Sequence, residues 1–285
     1  MAQKYKSQSN SAQFDQFYTK PSIAEVIVNG VLKIINPSNR KIFLEPSAGN
    51  GSFSDLLVDK HNSICFDIDP KREYIIKKDF FTVKSIDIEN YKPEEVCVIG
   101  NPPFGKNSSL AVKFFNHCAE LANTICFIVP RTFKKQSIRN RLNLNFKLKK
   151  SIDLPKNSFV FNNKPYDVPC VFQIWQHSDK KRRILKSKNE CKLFKFVDRE
   201  EADFAVRRVG GRSGTAFLEH EGLSTQSNHF CKAIRKNQIN RIVKLINSIN
   251  LIKIASATAG VRSISKGELI RAVERKLVSV SKKRS

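Results

Sequence analysis

Four short, nearly uninterrupted apolar runs punctuate the first half of this 285-residue chain, and each breaks off in a similar way. KIFLE runs from Lys41 to Glu45 and meets Pro46, and SICFD stops at Asp67 before IDP. VCVIG delivers the chain into Asn101-Pro102-Pro103-Phe104, and TICFIVP ends on Pro130. Such runs are of strand length, and apolar side chains at successive positions fill both faces of a strand. That suits a parallel sheet covered on both sides. Between the runs the pattern changes to helical spacing. SIAEVIVNGVLKII begins after Pro21, SFSDLLVDK resumes as helix after Gly51, and SLAVKFFNHCAELA is amphipathic. Strands alternating with helices predict a doubly wound α/β fold with a mostly parallel sheet.

From about residue 150 the texture changes. SFVFNNKPYDVPCVFQIW predicts two strands joined by an Asn/Lys/Pro turn, an antiparallel hairpin at the sheet edge. Residues 179–220 open with DKKRRILKSK and continue as strand-like pieces around VGGRSG. The last third reads as helical. Ile239, Ile242, Val243, Ile246 and Ile249 form one apolar stripe, and Ser265 to Glu268 make a capping box flanked by Ile264 and Leu269 as a hydrophobic staple. A disordered polar tail is expected over 1–13, a catalytic domain over 14–178 and a basic extension over 179–285, with SKKRS as a frayed end.

Charge divides the chain unevenly. Of 51 Lys and Arg and 26 Asp and Glu, residues 1–130 hold 15 and 14, so nearly the whole excess lies beyond residue 130. A generally basic soluble protein would spread its charge; a neutral first half followed by a basic second half predicts a polyanion-binding surface, most simply for nucleic acid. Arg131, Lys134, Lys135, Arg207, Arg208 and Arg212 are the candidate contacts, within basic runs at 131–150, 180–188 and 207–212. The 40% of hydrophobic residues can fill a core, yet no run approaches the roughly 18–20 residues of a membrane span. The opening MAQKYKSQSNSAQ lacks the apolar run of a signal peptide, and the seven cysteines form no CxxC pair. Reduced core thiols in a cytoplasmic protein without a structural metal are therefore expected.

In an open parallel sheet, ligands bind beyond the carboxyl ends of the strands. The first run ends in Glu45-Pro46-Ser47-Ala48-Gly49-Asn50-Gly51, where Gly49 and Gly51 would let the backbone approach a ligand closely. Ordinary strand-to-helix turns use glycine as well. Asp67 ends the second run 16 residues after Gly51, near the spacing at which an acid accepts hydrogen bonds from ribose hydroxyls; capping the next helix is its alternative use. Asp79-Phe80 is a further loop contact or a surface turn. At the third run, Asn101 offers an amide oxygen, and Pro102 stiffens the chain so that a carbonyl sits beside it. Fixed acceptors of this kind could take both hydrogens of a planar exocyclic amine and return electron density to its nitrogen. Phe104 would give the ring a face to stack on; a rigid loop with a buried Phe is the plainer alternative.

Taken together, Glu-Pro-x-x-Gly-x-Gly, an acid ending the next strand, Asp-Phe and Asn-Pro-Pro-Phe resemble the S-adenosylmethionine-dependent amino-methyltransferases. FDQFYTKP (Phe14 to Pro21) is similar to an element that precedes the cofactor loop in modification subunits of restriction systems. The pattern looks most like the N6-adenine DNA methyltransferases with a C-terminal target-recognition region, over about residues 14–175. The resemblance implies a class I methyltransferase fold, a seven-stranded mostly parallel sheet with an antiparallel edge hairpin, and S-adenosylmethionine as cofactor. It implies that Tyr18, Thr19 and Pro21 pack on the cofactor's methionine end, and that Glu45, Ser47, Gly49 and Gly51 line its amino-acid and sulfonium region. Asp67 would hold the ribose, Ile68 would touch the adenine, and Asp79 with Phe80 would meet its amine. Asn101, Pro102, Pro103 and Phe104 would hold the target base, with Asn101 also beside the cofactor. Phe161 would stack on the base's other face, with Phe159 as its rival, since alternate strand residues share a face. The implied reaction is direct in-line methylation of the adenine N6 amine, the base flipped from DNA. Rival readings are an RNA base methyltransferase acting on adenine N6 or guanine N2, release-factor glutamine methylation, and a catalytically idle nucleic-acid-binding subunit. A partner subunit or a homodimer stays open.

Overall fold

The computed structural model describes residues 17–35, 41–186, 188, 190–258 and 260–281. The tail expected over 1–13 and most of the frayed basic end lie outside the described residues. The chain divides into two compact units, Met1–Ile184 and Leu185–Ser285.

Unit 1 is built on a seven-stranded sheet. Its strands in chain order are β2 (Ile42–Glu45), β3 (Ser63–Asp67), β4 (Ile76–Lys77), β5 (Val96–Gly100), β6 (Thr124–Pro130), β7 (Phe146–Asp153) and β10 (Cys170–His177). Their spatial order is β4-β3-β2-β5-β6-β10-β7. The pairs from β4 to β6 are parallel, whereas β10 runs antiparallel to both β6 and β7. This is the class I methyltransferase sheet. The apolar runs fill it as expected: all four residues of β2 and all five of β5 are buried. Two long helices pack on its core. In α1 (Pro21–Ile35), Ala24, Ile27, Val28 and Val31 recur at helical spacing and are buried. In α2 (Ser109–Leu121), Phe115 and Cys118 are fully buried.

Two expectations need correcting. SFSDLLVDK forms no helix: only Ser54–Leu56 makes a 3₁₀ turn. The polar side chains there are tied to the loop after β3 instead, Ser54 to Tyr74 and Asp55 to both Tyr74 and Arg72. The two strands expected in SFVFNNKPYDVPCVFQIW do not form one hairpin with each other. β8 (Phe159–Phe161) and β9 (Lys164–Tyr166) make their own hairpin across Asn162-Asn163, both with positive φ, and join β1 (Tyr18–Thr19) in a three-stranded sheet. Positive φ at both central residues matches the twist of a two-residue hairpin turn. CVFQIW belongs instead to β10, and the antiparallel edge is completed by β7, which begins with the basic stretch FKLKK.

Unit 2 holds a four-stranded antiparallel sheet in the order β11-β14-β12-β13, from β11 (Phe194–Phe196), β12 (Phe204–Arg207), β13 (Ala216–Phe217) and β14 (Asn228–Ala233). Three helices follow: α3 (Ile239–Asn247), α4 (Leu251–Ala255) and α5 (Lys266–Ser281). Phe194, Phe204, Cys231, Ile242, Ile246 and Leu269 form its core. The expected stripe is buried at Ile242, Val243 and Ile246. The capping box is present, with the Ser265 amide donating to the Glu268 carboxylate and the Glu268 amide to the Ser265 hydroxyl.

Candidate active site

The carboxyl ends of β2, β3 and β5 meet at one cleft of about 470 Å³. Where β2 stops at Glu45, Pro46 brings no N–H to extend the ladder. The chain then turns through Gly49 at φ +53°. A Cβ there would stand 2.9 Å from the Tyr18 ring, and one at Gly51 (φ +87°) would stand 2.5 Å from the Asp55 carboxylate. Glycine is needed at both positions for backbone conformation and for packing of the protein on itself. The Gly49 amide donates to Asp67 Oδ2 at 2.7 Å and the Asp69 amide to Asp67 Oδ1 at 2.8 Å, locking the loops after β2 and β3 together. Asp67 is thereby aimed, with lone pairs left for a further donor.

The segment before α1 closes a second side of the cleft. β1 pairs with β8, Tyr18 opposite Val160 and Thr19 opposite Phe159, and the Ser52 hydroxyl donates to the Thr19 carbonyl at 2.8 Å. After β5, Asn101 directs its side-chain N–H to the Phe17 carbonyl at 3.2 Å. Its amide oxygen is buried and accepts nothing among the described residues. Beyond the prolines, the Phe104 carbonyl accepts from the Leu110 and Ala111 amides, so the corner is anchored on the first turn of α2. Asp79 closes the far side, capping the turn Phe80–Thr82 by accepting from the Phe81 amide. Phe80 stacks on Phe114, centroids 5.6 Å apart and planes 8° apart.

Of the residues expected at a site, Tyr18, Thr19, Glu45, Ser47, Gly49, Asp67, Ile68, Asp79, Phe80, Asn101 and Pro103 line this cleft. Pro21, Gly51, Pro102, Phe104 and Phe161 do not. Phe104 is 7% exposed, its ring against Phe17 at 5.7 Å. Phe159 is fully buried, and Phe161 packs on Tyr166. Phe17, Phe53, Phe81 and Phe114 reach the cleft although sequence reasoning gave them no part. Phe17 and Phe81 each adjoin a predicted site residue, and that adjacency was the available signal.

One acid of the cleft is held well above its ordinary range. Glu45 is 2% exposed, and its Oε2 has no partner among the described residues. Burial pushes this carboxyl from the usual 4.5 up to about 8, with bonds from Ser54 acting in the other direction. Burial also raises the Tyr18 hydroxyl. The Thr19 hydroxyl is a second buried group without a partner among the described residues. Buried polar atoms are normally satisfied, so three orphans lining one cleft point to a ligand that satisfies them.

The expected nucleic-acid contacts are engaged within the protein to varying degrees. Arg131 and Lys134 lie on the turn after β6, and both face Asp153, at 3.2 and 2.7 Å. Lys135 follows them and is half-buried. In unit 2, Arg208 donates to the Gln226 carbonyl at 2.9 Å, and the Arg212 guanidinium lies 5.9 Å from the centre of the Phe217 ring. Arg207 ends β12 and is half-buried. Within the 180–188 run, Arg182 is turned inward onto Trp175 and onto the carbonyls of Leu142, Asn143 and Phe146.

No family model matches the chain, and no curated protein matches it by sequence. Among solved structures it is similar to a Pyrococcus horikoshii protein provisionally described as an RNA methyltransferase. That match has 15% identity, covers 60% of this chain and 91% of that one, and has a TM-score of 0.43. It is similar as well to a Vibrio vulnificus protein provisionally described as a modification subunit of a type I restriction enzyme, at 16% identity, 59% and 46% coverage and a TM-score of 0.43. A third similarity is to the 23S rRNA methyltransferase ErmE, at 12% identity, 91% and 98% coverage and a TM-score of 0.40.

Proposed function

We propose that unit 1 is an S-adenosylmethionine-dependent methyltransferase that modifies an exocyclic amine of a nucleic-acid base, the N6 amine of adenine in DNA. The observation that carries this reading is the buried, unpartnered amide oxygen of Asn101, held beside a cleft by the bond from its own N–H to Phe17. The cofactor fits the donor set. Glu45 would face its ammonium, Asp67 its ribose hydroxyls, and Ile68, Asp79 and Phe80 its adenine. When bound it supplies an electrophilic methyl group. The chain's own part is positioning and electrostatics: Asn101 and the neighbouring backbone carbonyl accept the amine's hydrogens and hold the nitrogen's lone pair ready. Phe17, already packed on Phe104 and Tyr166, is placed to offer the target ring an apolar wall.

The basic excess beyond residue 130 supports a polyanionic substrate over a protein one. The seven free cysteines, six of them buried, suit a reducing cytoplasm. Among the described residues no helix is long and apolar enough to cross a membrane. Incubation with isotopically labelled cofactor and duplex DNA, single-stranded DNA or RNA, then digestion to nucleosides and mass spectrometry, tests the proposal. Labelled N6-methyladenine from DNA is expected; label in RNA alone would transfer the activity to the RNA reading, and no label in any polymer would overturn both.

A further inference from the structure

The sequence placed unit 2's polyanion contact on Arg207, Arg208 and Arg212, yet two of these are occupied within the unit: Arg208 by a carbonyl and Arg212 by a phenyl face. Other cations of the unit are paired as well, Lys188 with Glu274, Arg199 with Glu200 and Lys232 with Glu201. Much of the remaining charge falls within one stretch of the sequence. Between Asp203 and Glu268 the sequence holds eleven basic residues and two acidic ones, Glu219 and Glu221. Arg235 and Lys236 are exposed in the turn that follows β14, and Arg241 and Lys244 are exposed on α3. Helical geometry puts Arg241 and Lys244 on the side of α3 opposite Ile242, Val243 and Ile246, which are buried in the unit's core. Exposed Asn237 and Asn240 interleave with the cations, adding amide donors and acceptors. Among the described residues, the four cations have no ion-pair or hydrogen-bond partner for their side chains.

We propose that Arg235, Lys236, Arg241 and Lys244 form the nucleic-acid backbone contact of unit 2, with Asn237 and Asn240 reaching phosphate or sugar oxygens between them. This rests on the reading that the substrate is nucleic acid, and it moves the contact away from the arginine turn at 207–212. Unneutralised cations gathered in the one stretch RKNQINRIVK, with amides between them and no carboxylate, match a polyphosphate. A membrane surface is a poorer match: an interfacial helix must give its apolar face to lipid, and that face of α3 is already in the core.

The test uses the full chain with Arg235→Gln, Lys236→Gln, Arg241→Gln and Lys244→Gln combined, beside a charge-keeping control, Arg235→Lys with Arg241→Lys. Binding to labelled duplex DNA and single-stranded RNA is followed by anisotropy across a salt series, with polyglutamate as a non-nucleic polyanion competitor. The slope of log affinity against log salt should become shallower by about 3–4 on duplex DNA, at about 0.9 for each phosphate that the protein no longer neutralises, and remain unchanged in the control. Cofactor affinity by calorimetry should match the parent, which separates the result from damage to unit 1. An unchanged slope in the fourfold variant overturns the proposal, even if methyl transfer proceeds. Wild-type protein that prefers polyglutamate overturns it in favour of an acidic protein partner. Loss of methyl transfer in every assay with the slope change intact would sink the catalytic reading alone.

Discussion

Unit 1 and unit 2 handle their polar groups in opposite ways. Of the buried side-chain atoms that lack a hydrogen bond among the described residues, five lie in unit 1, on Thr19, Glu45, Ser63, Asn101 and Arg131 (whose Nε still faces Asp153 at 3.2 Å), and one in unit 2, on Asn228. Three of the five line a single cleft. Unit 2 instead closes its core and leaves its charge at the surface, on Arg235, Lys236, Arg241 and Lys244. The difference teaches where each kind of function can reside. Buried unsatisfied groups cost stability and persist where a ligand offsets that cost with directional bonds, which is how chemistry is positioned. Exposed cations cost little and act collectively, which suits adhesion to a polymer.

The largest effect that can break this contrast is expected at Glu45. Because its folded-state value is raised to about 8, the stability it contributes is fully present below about 4.5 and is lost as pH rises through about 8. Denaturant titrations of the parent should lose several kcal/mol across that window, and Glu45→Gln should flatten the decline. A parent curve already flat would remove the case for a strained acid in the cleft. Asn101→Ala comes next. It should slow single-turnover methyl transfer by about 10²-fold or more, with cofactor affinity changed only a few-fold. Turnover at the parent rate would leave the corner without a role. Gly49→Ala should cost about 1–3 kcal/mol, from a positive φ and the close Tyr18 ring, and combining it with Tyr18→Ala should return part of the loss. Equal single and double losses would show that the ring is not the obstacle. The smallest effect belongs to unit 2: Arg212→Gln should change the salt slope of DNA binding by well under the roughly 0.9 of a full phosphate contact. A full unit of change would restore the arginine turn as the contact and blur the distinction between its cations and those of α3.

Much of the cleft is legible in the sequence. Eleven of the predicted site residues line it, because motif residues at strand ends are brought to one edge by any parallel sheet of this kind. What escapes a sequence reading are residues whose importance comes from distant neighbours. Phe17 matters because its carbonyl receives Asn101, 84 positions away, and its ring covers Phe104. Phe104 reads as a stacking face and is instead nearly enclosed. The FVF segment looks like the edge partner of CVFQIW, yet it pairs with Tyr18–Thr19.

By itself, then, the sequence determined the alternation of buried strands and amphipathic helices, the polar ends of those strands, the capping of α5 and the imbalance of charge. These follow from periodicity, proline and glycine stereochemistry, and residue counts, all of which are local. Tertiary structure alone decided that β10 enters the main sheet against β6 and β7, which aromatic rings reach the cleft, and which cations remain unpaired. An apolar strand can pair with any neighbour that offers a ladder, and a cation can be neutralised by any acid within reach. Those choices are settled by contacts between segments far apart in the chain.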